Sequence, residues 1–262
     1  MFTFFSCSSR DAQEKDADRR LKHIEQLINE NALNSARIEI DSIHVLYPLL
    51  VDKRRVAAAL QDTILRRESA RSLAYCDSLL VQKKHEADSI QRNFRLEKNE
   101  KYQQFGNLIY KSQQTESNSS RIYLKAYVDE NNDFYLISNY FGGKIEQGSV
   151  EVSVNDVYAH TDTISSSNAA YHSFNDGGSH WESLTFKNEA DRGVAAFIAQ
   201  NSTFRLKVTL YGKKTYVYFL ADSDKKAIAA TYHLWIVRKD VDKLQKEIKK
   251  ASKKIARIKQ DK

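Results

Sequence analysis

Residues 223–258 read SDKKAIAATYHLWIVRKDVDKLQKEIKKASKKIARI. Within this stretch Ala227, Ala230, Leu234, Val237, Val241, Leu244, Ile248, Ala251, Ile255 and Ile258 alternate spacings of three and four residues. That rhythm places one apolar stripe along a helix and, sustained over more than roughly four heptads, predicts a coiled-coil seam. Asp222 or Ser223 serves as the N-cap, with Asp224 near the positive end of the helix dipole and lysines crowding the negative end. A helix over residues 223–260 extends ~57 Å at about 1.5 Å per residue.

A partner of matching length is expected upstream. Leu80, Ala87, Ile90, Phe94, Tyr102, Phe105 and Ile109 form a second stripe, and a helix over 79–114 extends ~54 Å. Both segments flank the same central region. The expected architecture is therefore α+β: N-terminal helices, then an antiparallel two-helix coiled-coil stalk (79–117 with 223–260) carrying an inserted antiparallel β domain at 121–220. A tethered partner sits at high effective concentration, so pairing within one chain, as a monomer, is favoured over a coiled-coil dimer.

The segment before the stalk, residues 11–78, reads as helical. Leu21, Ile24, Leu27 and Ile28 form one stripe; Leu33, Ala36, Ile40, Ile43, Leu46 and Tyr47 form another that stops at Pro48. The offsets of Ala36, Ile40, Ile43 and Pro48 resemble the second helix of a tetratricopeptide repeat, although Ile43 stands where such repeats carry a small residue. One copy makes a helical hairpin and not a repeat array, which needs at least ~3 copies. A third helix is expected from Asp52 through Val56, Ile64 and Leu73, with Asp77 or Ser78 capping the next. Cys76 lies on an apolar stripe with Leu73 and Leu80 and reads as a small buried hydrophobe.

In residues 121–220, Ile122, Leu124, Ala126 and Val128 alternate, a turn follows at 129–133, and Phe134–Tyr140 returns as a second strand. Val150, Val152 and Val154 mark a third strand that Tyr158–His160 extends, and Trp181–Lys187 a further one. Residues 191–201 read as a short helix, and 205–211 with 215–220 as a closing hairpin. About six strands in an antiparallel sheet or open sandwich result. The stretch 161–179 is polar and reads as loop. Aromatic residues are dense here (Phe134, Tyr135, Tyr140, Phe141, Tyr158, Tyr171, Trp181, Phe186, Tyr211, Tyr216, Tyr218, Phe219). Strand alternation sends about half of them into the core and leaves the rest able to line a binding face for sugars or bases.

The formal net charge is +7, and residues 236–262, with 11 basic and 4 acidic side chains, carry an excess of the same size. A generally basic nucleic-acid-binding fold would not concentrate its charge in this way. Lys243, Lys246, Lys249, Lys250, Lys253, Lys254 and Arg257 form a candidate surface for polyanions or anionic lipid; a solvated helix face is the competing reading. Two cysteines make neither a disulfide framework nor a zinc site. His160, His172 and His180, with Asp162 and Asp176 near, lie 12 and 8 residues apart, which fits no compact metal motif. Asp129, Asn131 and Asp133 imitate the start of a calcium loop, but Phe134 and Tyr140 replace its glycine and glutamate, so a hairpin turn is expected. No G-x-S-x-G, P-loop, dinucleotide fingerprint or H-E-x-x-H occurs. No cofactor, metal or catalytic residue is expected, with a hydrolase-type site in the 160–180 loop as the enzymatic alternative.

The chain opens Met1-Phe2-Thr3-Phe4-Phe5-Ser6-Cys7, an apolar run ending in a small residue and a cysteine, followed at once by polar sequence. This resembles the end of a bacterial lipoprotein signal peptide, in which the cysteine is lipidated. Phe4 and Phe5 depart from that pattern, and the basic segment that normally precedes it is missing; a late start or a plain N-terminus with a free thiol also fits. Residues 1–10 are thus read as a lipobox-like remnant and tether. Together with Ile43-x-x-Leu46-Tyr47-Pro48, Leu73-Ala74-Tyr75-x-Asp77-Ser78-Leu79, Val194–Asn201 and Asp224–Ile228, the chain resembles a lipoprotein family of Bacteroidetes-type bacteria over nearly its full length. The resemblance implies attachment to the outer membrane through Cys7, periplasmic or surface-exposed, and brings no activity with it. The expected function is a non-catalytic envelope module that binds a protein or glycan or acts as a scaffold.

Overall fold

The computed structural model describes residues 6–101, 103–114, 118, 120–176, 178–187 and 189–260. The fold is mixed α+β, with five α-helices and two antiparallel sheets among these residues. The chain divides into two compact units, residues 1–79 with 244–262, and residues 80–243.

In the first unit, α1 (Ser6–Asn29) and α2 (Leu33–Leu46) form the expected hairpin. Its corner has a physical cause. Asn31 adopts φ 68°, while the Asn31 and Ala32 amides donate to the Ile28 and Leu27 carbonyls. This closes the last turn of α1 through a left-handed residue, a conformation asparagine tolerates. The stripes Leu21, Ile24, Ile28 and Ala36, Ile40, Ile43 are buried and pack with Tyr47, Leu50, Ala57 and Ile64. α2 ends before Pro48, and α3 begins at Val51. Polar ties close the bundle's flanks: the Tyr47 hydroxyl donates to Asp16, and Arg20 pairs with Glu39 at 3.0 Å. Cys76 is buried on α3, as its stripe requires.

The expected break at residues 77–78 does not occur: α3 runs unbroken over Val51–Gln91. The expected helix over 79–114 is likewise corrected. Phe94–Glu97 (β1) and Asn107–Tyr110 (β2) are strands of one antiparallel hairpin. Apolar residues at 94, 105 and 109 satisfy a helical rhythm, but Asn107–Ile109 pairs in register with Val128–Asp129 and Tyr127 of the next strand. Phe94 and Leu108 bury against Leu234. Those partners lie far along the chain and are invisible to local periodicity.

In the second unit, β1, β2, β3 (Tyr123–Asp129), β4 (Phe134–Gly142), β8 (Ser179–Lys187) and β7 (Tyr171–Asp176) form a six-stranded sheet in the order β1-β2-β3-β4-β8-β7. β10 (Tyr216–Phe219), β9 (Lys207–Tyr211), β5 (Ser149–Val154) and β6 (Val157–His160) form a four-stranded sheet in that order. The stretch 161–179, expected as loop, contributes β7, which pairs with β8 from Tyr171↔Leu184 to Asp176↔Ser179. Leu124, Ala126, Leu136, Leu184 and Phe186 from the larger sheet meet Val150, Val152, Val208 and Leu210 from the smaller. The helix α4 (Val194–Gln200) adds Val194, Ala195 and Ile198 to the same core. Gly212 allows the β9–β10 turn to approach the 145–146 backbone: a Cβ there would stand 2.4 Å from the Glu146 carbonyl oxygen.

The last helix, α5, spans Asp222–Gln260. The first half of its seam does not face a helix alone. Leu234 packs on Phe94 and Leu108 with Ala230 beside it, and Ile228, next to the seam, enters the sandwich core. Trp235 and Tyr232 surround Phe134, with ring centroids 5.3 and 6.2 Å away. An ion pair Lys83–Asp240 at 3.5 Å and a hydrogen bond between Glu86 and His233 at 3.0 Å join the end of α3 to α5, with residue order reversed between the two helices. From Val241 to Ile255 the seam residues are only half-buried.

Candidate functional site

Strand alternation gives the six-stranded sheet two faces. One is the sandwich core. On the other, the register aligns Tyr123, Asn139 and Ser183 in one row and Lys125, Ile137 and Thr185 in the next. A third row runs from Arg95 through Ile109 and Tyr127 to Tyr135 and Lys187. At one end Trp181 faces Phe174, rings nearly parallel and 5.4 Å apart. A cavity of about 960 Å³ lies over this face. Its floor comes from the strands, and its rim from Lys98, Asn99 and Gln103 between β1 and β2 and Gln114, Asn118 and Ser120 between β2 and β3.

The rim is held by a polar network. Arg121 donates to both Asp224 carboxylate oxygens, at 2.7 and 2.6 Å, and to Asn118 at 2.6 Å. Gln113, fully buried, donates to Asp224 and to the Leu124 carbonyl. Asp224 stands in the first turn of α5, where the helix dipole favours a carboxylate. This bidentate pair therefore ties the segment before β3 to the start of α5, and the Arg121 guanidinium lies 4.2 Å from the Tyr123 ring centroid.

The floor is polar and desolvated at once. Lys125 is only 6% exposed. Burial lowers its ammonium pKa from the ordinary lysine value, opposed by the nearby Glu97 carboxylate. Burial likewise pushes the Tyr123 phenol up to about 12, against the pull of Arg121, and raises Tyr127 further. Tyr127 and Tyr135 stack at 4.5 Å, with Lys187 over the Tyr135 ring. The arrangement offers aromatic faces, carboxamides and a buried amine.

Of the aromatic residues singled out in the sequence, Trp181 lines this cavity and Tyr135 lies in its third row; the other candidates lie elsewhere. Met1–Phe5 are outside the described residues; Cys7 falls in the first turn of α1, with its side chain also outside them. The seven basic residues from Lys243 to Arg257 are all exposed on α5. The histidines are dispersed. His160 belongs to the smaller sheet, where its Nδ1 is 2.6 Å from the Thr161 carbonyl oxygen. His172 pairs with Ser183 and His180 with Asn175, which puts them on opposite faces of the β7–β8 hairpin. Asp162 pairs with Arg192 at 2.7 Å; Asp176 ends β7, its side chain outside the described residues. Among the described residues no group of three metal-binding side chains forms. The Asp129–Asp133 segment is the expected hairpin turn, with Asp129 accepting from the Asp133 amide and the Tyr135 hydroxyl.

Sequence reading missed Tyr123, Lys125, Tyr127 and Asn139. The signal was present: the alternation that marks Leu124, Ala126 and Val128 as core also assigns Tyr123, Lys125 and Tyr127 to one opposite face. No described helix is long and apolar enough to cross a membrane. Compared with known protein families, characterised proteins and solved structures, the chain matches none of them.

Proposed function

We propose that this protein is a non-catalytic binding module of a bacterial cell envelope, attached to a membrane through acyl chains on Cys7. The free face of its six-stranded sheet takes the ligand, and the antiparallel run of α3 and α5 serves as the stalk. The observation that carries the binding reading is the cavity of about 960 Å³ lined by aromatic rings, carboxamides and Lys125. Its size falls at the upper end of the ~300–1,000 Å³ of small-ligand sites, and convergent polar groups on an aromatic floor are what such sites use for orientation. A thermal-shift screen of soluble metabolites against wild type and Trp181→Ala tests it. A ligand that raises the Tm of wild type alone supports the site; stabilisation equal in both places the ligand elsewhere and overturns it.

The tether rests on Phe5-Ser6-Cys7 and the polar sequence that follows. Two or more acyl chains, at ~0.8 kcal/mol per buried methylene, anchor a protein stably. Palmitate label in wild type and none in Cys7→Ala is the expected result, and equal label in both contradicts it.

A second reading has its own observation. The seven basic side chains of α5 are all solvent-exposed, and Glu247, 4.0 Å from Lys250, is the acidic group paired with one of them among the described residues. Binding of a polyanion or anionic lipid there would fall steeply with salt and vanish on deletion of 243–262.

A further inference from the structure

We infer that the corner between α2 and α3 is a membrane-docking site, which sets Leu46, Leu49 and Val51 into the interface of an anionic lipid bilayer. This goes beyond the sheet-face site and does not depend on it.

The corner lies within the first unit. Its apolar side chains divide in two. Tyr47 and Leu50 turn inward and join the helical core. Leu46, Leu49 and Val51 turn outward at 51, 86 and 59% exposure, with Val45 beside them at 76%. The turn is fixed by its own hydrogen bonds. The Leu50 and Val51 amides donate to the Tyr47 and Leu49 carbonyls at 3.2 and 3.1 Å, and Arg54 donates to the Pro48 carbonyl at 3.1 Å. An ordered, protruding cluster of aliphatic side chains marks a surface that something covers.

Charge names the partner. Between His44 and Arg55 the sequence carries Lys53, Arg54 and Arg55 against one acidic residue, Asp52. Arg55 lies 3.6 Å from Asp52, and Lys53 pairs with Asp18 of α1. Arg54 is exposed, held by the Pro48 carbonyl and by His44 Nδ1 at 3.4 Å, and is left as the excess cation of the rim. Leucines that protrude beside cations suit the headgroup region, where the apolar groups enter the acyl boundary and the cations meet lipid phosphates. Protein interfaces centre instead on tryptophan, tyrosine and arginine in packed pockets. This corner is convex, and its one aromatic ring, Tyr47, is buried.

Position agrees with charge. α1 and α2 run antiparallel, since Arg20 pairs with Glu39 and the Tyr47 hydroxyl reaches Asp16. The corner therefore lies at the end of the hairpin from which α1 extends towards Cys7, ~14 Å beyond Asp16 at about 1.5 Å per residue. Acyl chains on Cys7 and the corner would meet the same membrane surface.

The test is co-sedimentation of the full chain carrying Cys7→Ala, which removes the proposed anchor, with vesicles of phosphatidylglycerol and phosphatidylcholine in equal parts. It partitions onto them at least ~5-fold more than onto pure phosphatidylcholine. Leu49→Asn lowers the partition coefficient ~10-fold or more, as withdrawing a leucine from an apolar phase implies. Arg54→Gln lowers it ~3–5-fold on the anionic vesicles. Replacing the seven basic residues from Lys243 to Arg257 by glutamine leaves it unchanged, and circular dichroism verifies that each variant is folded. Equal partitioning with and without Leu49→Asn, or loss of binding with the α5 replacements alone, overturns the corner as the docking site. Failure to bind either vesicle overturns the lipid partner, and a dimer that Leu49→Asn disperses in light scattering reassigns the corner to a second copy of the chain. The anchor is absent and the sheet face untouched throughout, so the palmitate label and the metabolite screen judge those readings separately.

Discussion

The six-stranded sheet buries a charged residue on each of its faces, and the two are treated differently. On the core face Glu182 is fully buried, and its carboxylate accepts the backbone amides of Ile145, Glu146 and Gln147 at 2.8, 2.9 and 2.8 Å. Both carboxylate oxygens are thus spent on holding the segment after β4. On the opposite face Lys125 is almost as buried, but it lies on a cavity floor between two tyrosines. One charge organises backbone; the other, with the Glu97 carboxylate near it, lines an open cavity.

Mutations sharpen that contrast. The largest effect is expected for Glu182→Ala, which orphans three buried amides and opens a void; a loss on the order of 4 kcal/mol follows. Urea unfolding followed by circular dichroism measures it, and a loss under ~1 kcal/mol would remove the distinction between the faces. Leu184→Ala, on the same strand and the same face, is expected to cost about 3 kcal/mol as a core truncation. Trp181→Ala, on the free face, is expected to cost less than half of that, because its ring is only partly buried and spends its surface on the cavity.

A smaller effect tests the electrostatics. Tyr123 has a folded-state pKa of about 12, above the ordinary tyrosine value of 10.0. A raised phenol contributes stability that is complete below pH 10, where both states are protonated, and is lost as pH rises from 10 through about 12. Tyr123→Phe should therefore flatten the alkaline fall in stability over that window, and an unchanged slope would contradict the burial of the hydroxyl.

Much of this architecture was legible in the sequence. The stripes of α1, α2 and α5, the β3–β4 and β9–β10 hairpins and the short α4 follow from period and turn residues alone. What was not legible depended on distant partners. Phe94–Tyr110 carries a spacing compatible with a helix and becomes a hairpin because β3 offers it an open edge. Tyr171–Asp176 has too little hydrophobicity to read as a strand, yet β8 pairs its backbone throughout. The candidate site was half visible: alternation places Tyr123, Lys125 and Tyr127 together, but only the register Tyr123↔Asn139↔Ser183 brings in the carboxamide and the β8 face. The histidines drew notice because they are chemically versatile, and the same register sends His172 and His180 to opposite sides.

The central claim, that the free face of the larger sheet is where the ligand rests, is tested most directly by hydroxyl-radical footprinting with and without a saturating ligand from the thermal-shift screen. Oxidation of Trp181 and Tyr127 should slow on addition of that ligand, while exposed Tyr158 and Phe219 of the smaller sheet react at an unchanged rate. Protection at Tyr158 and Phe219, with Trp181 and Tyr127 unaffected, would contradict the account.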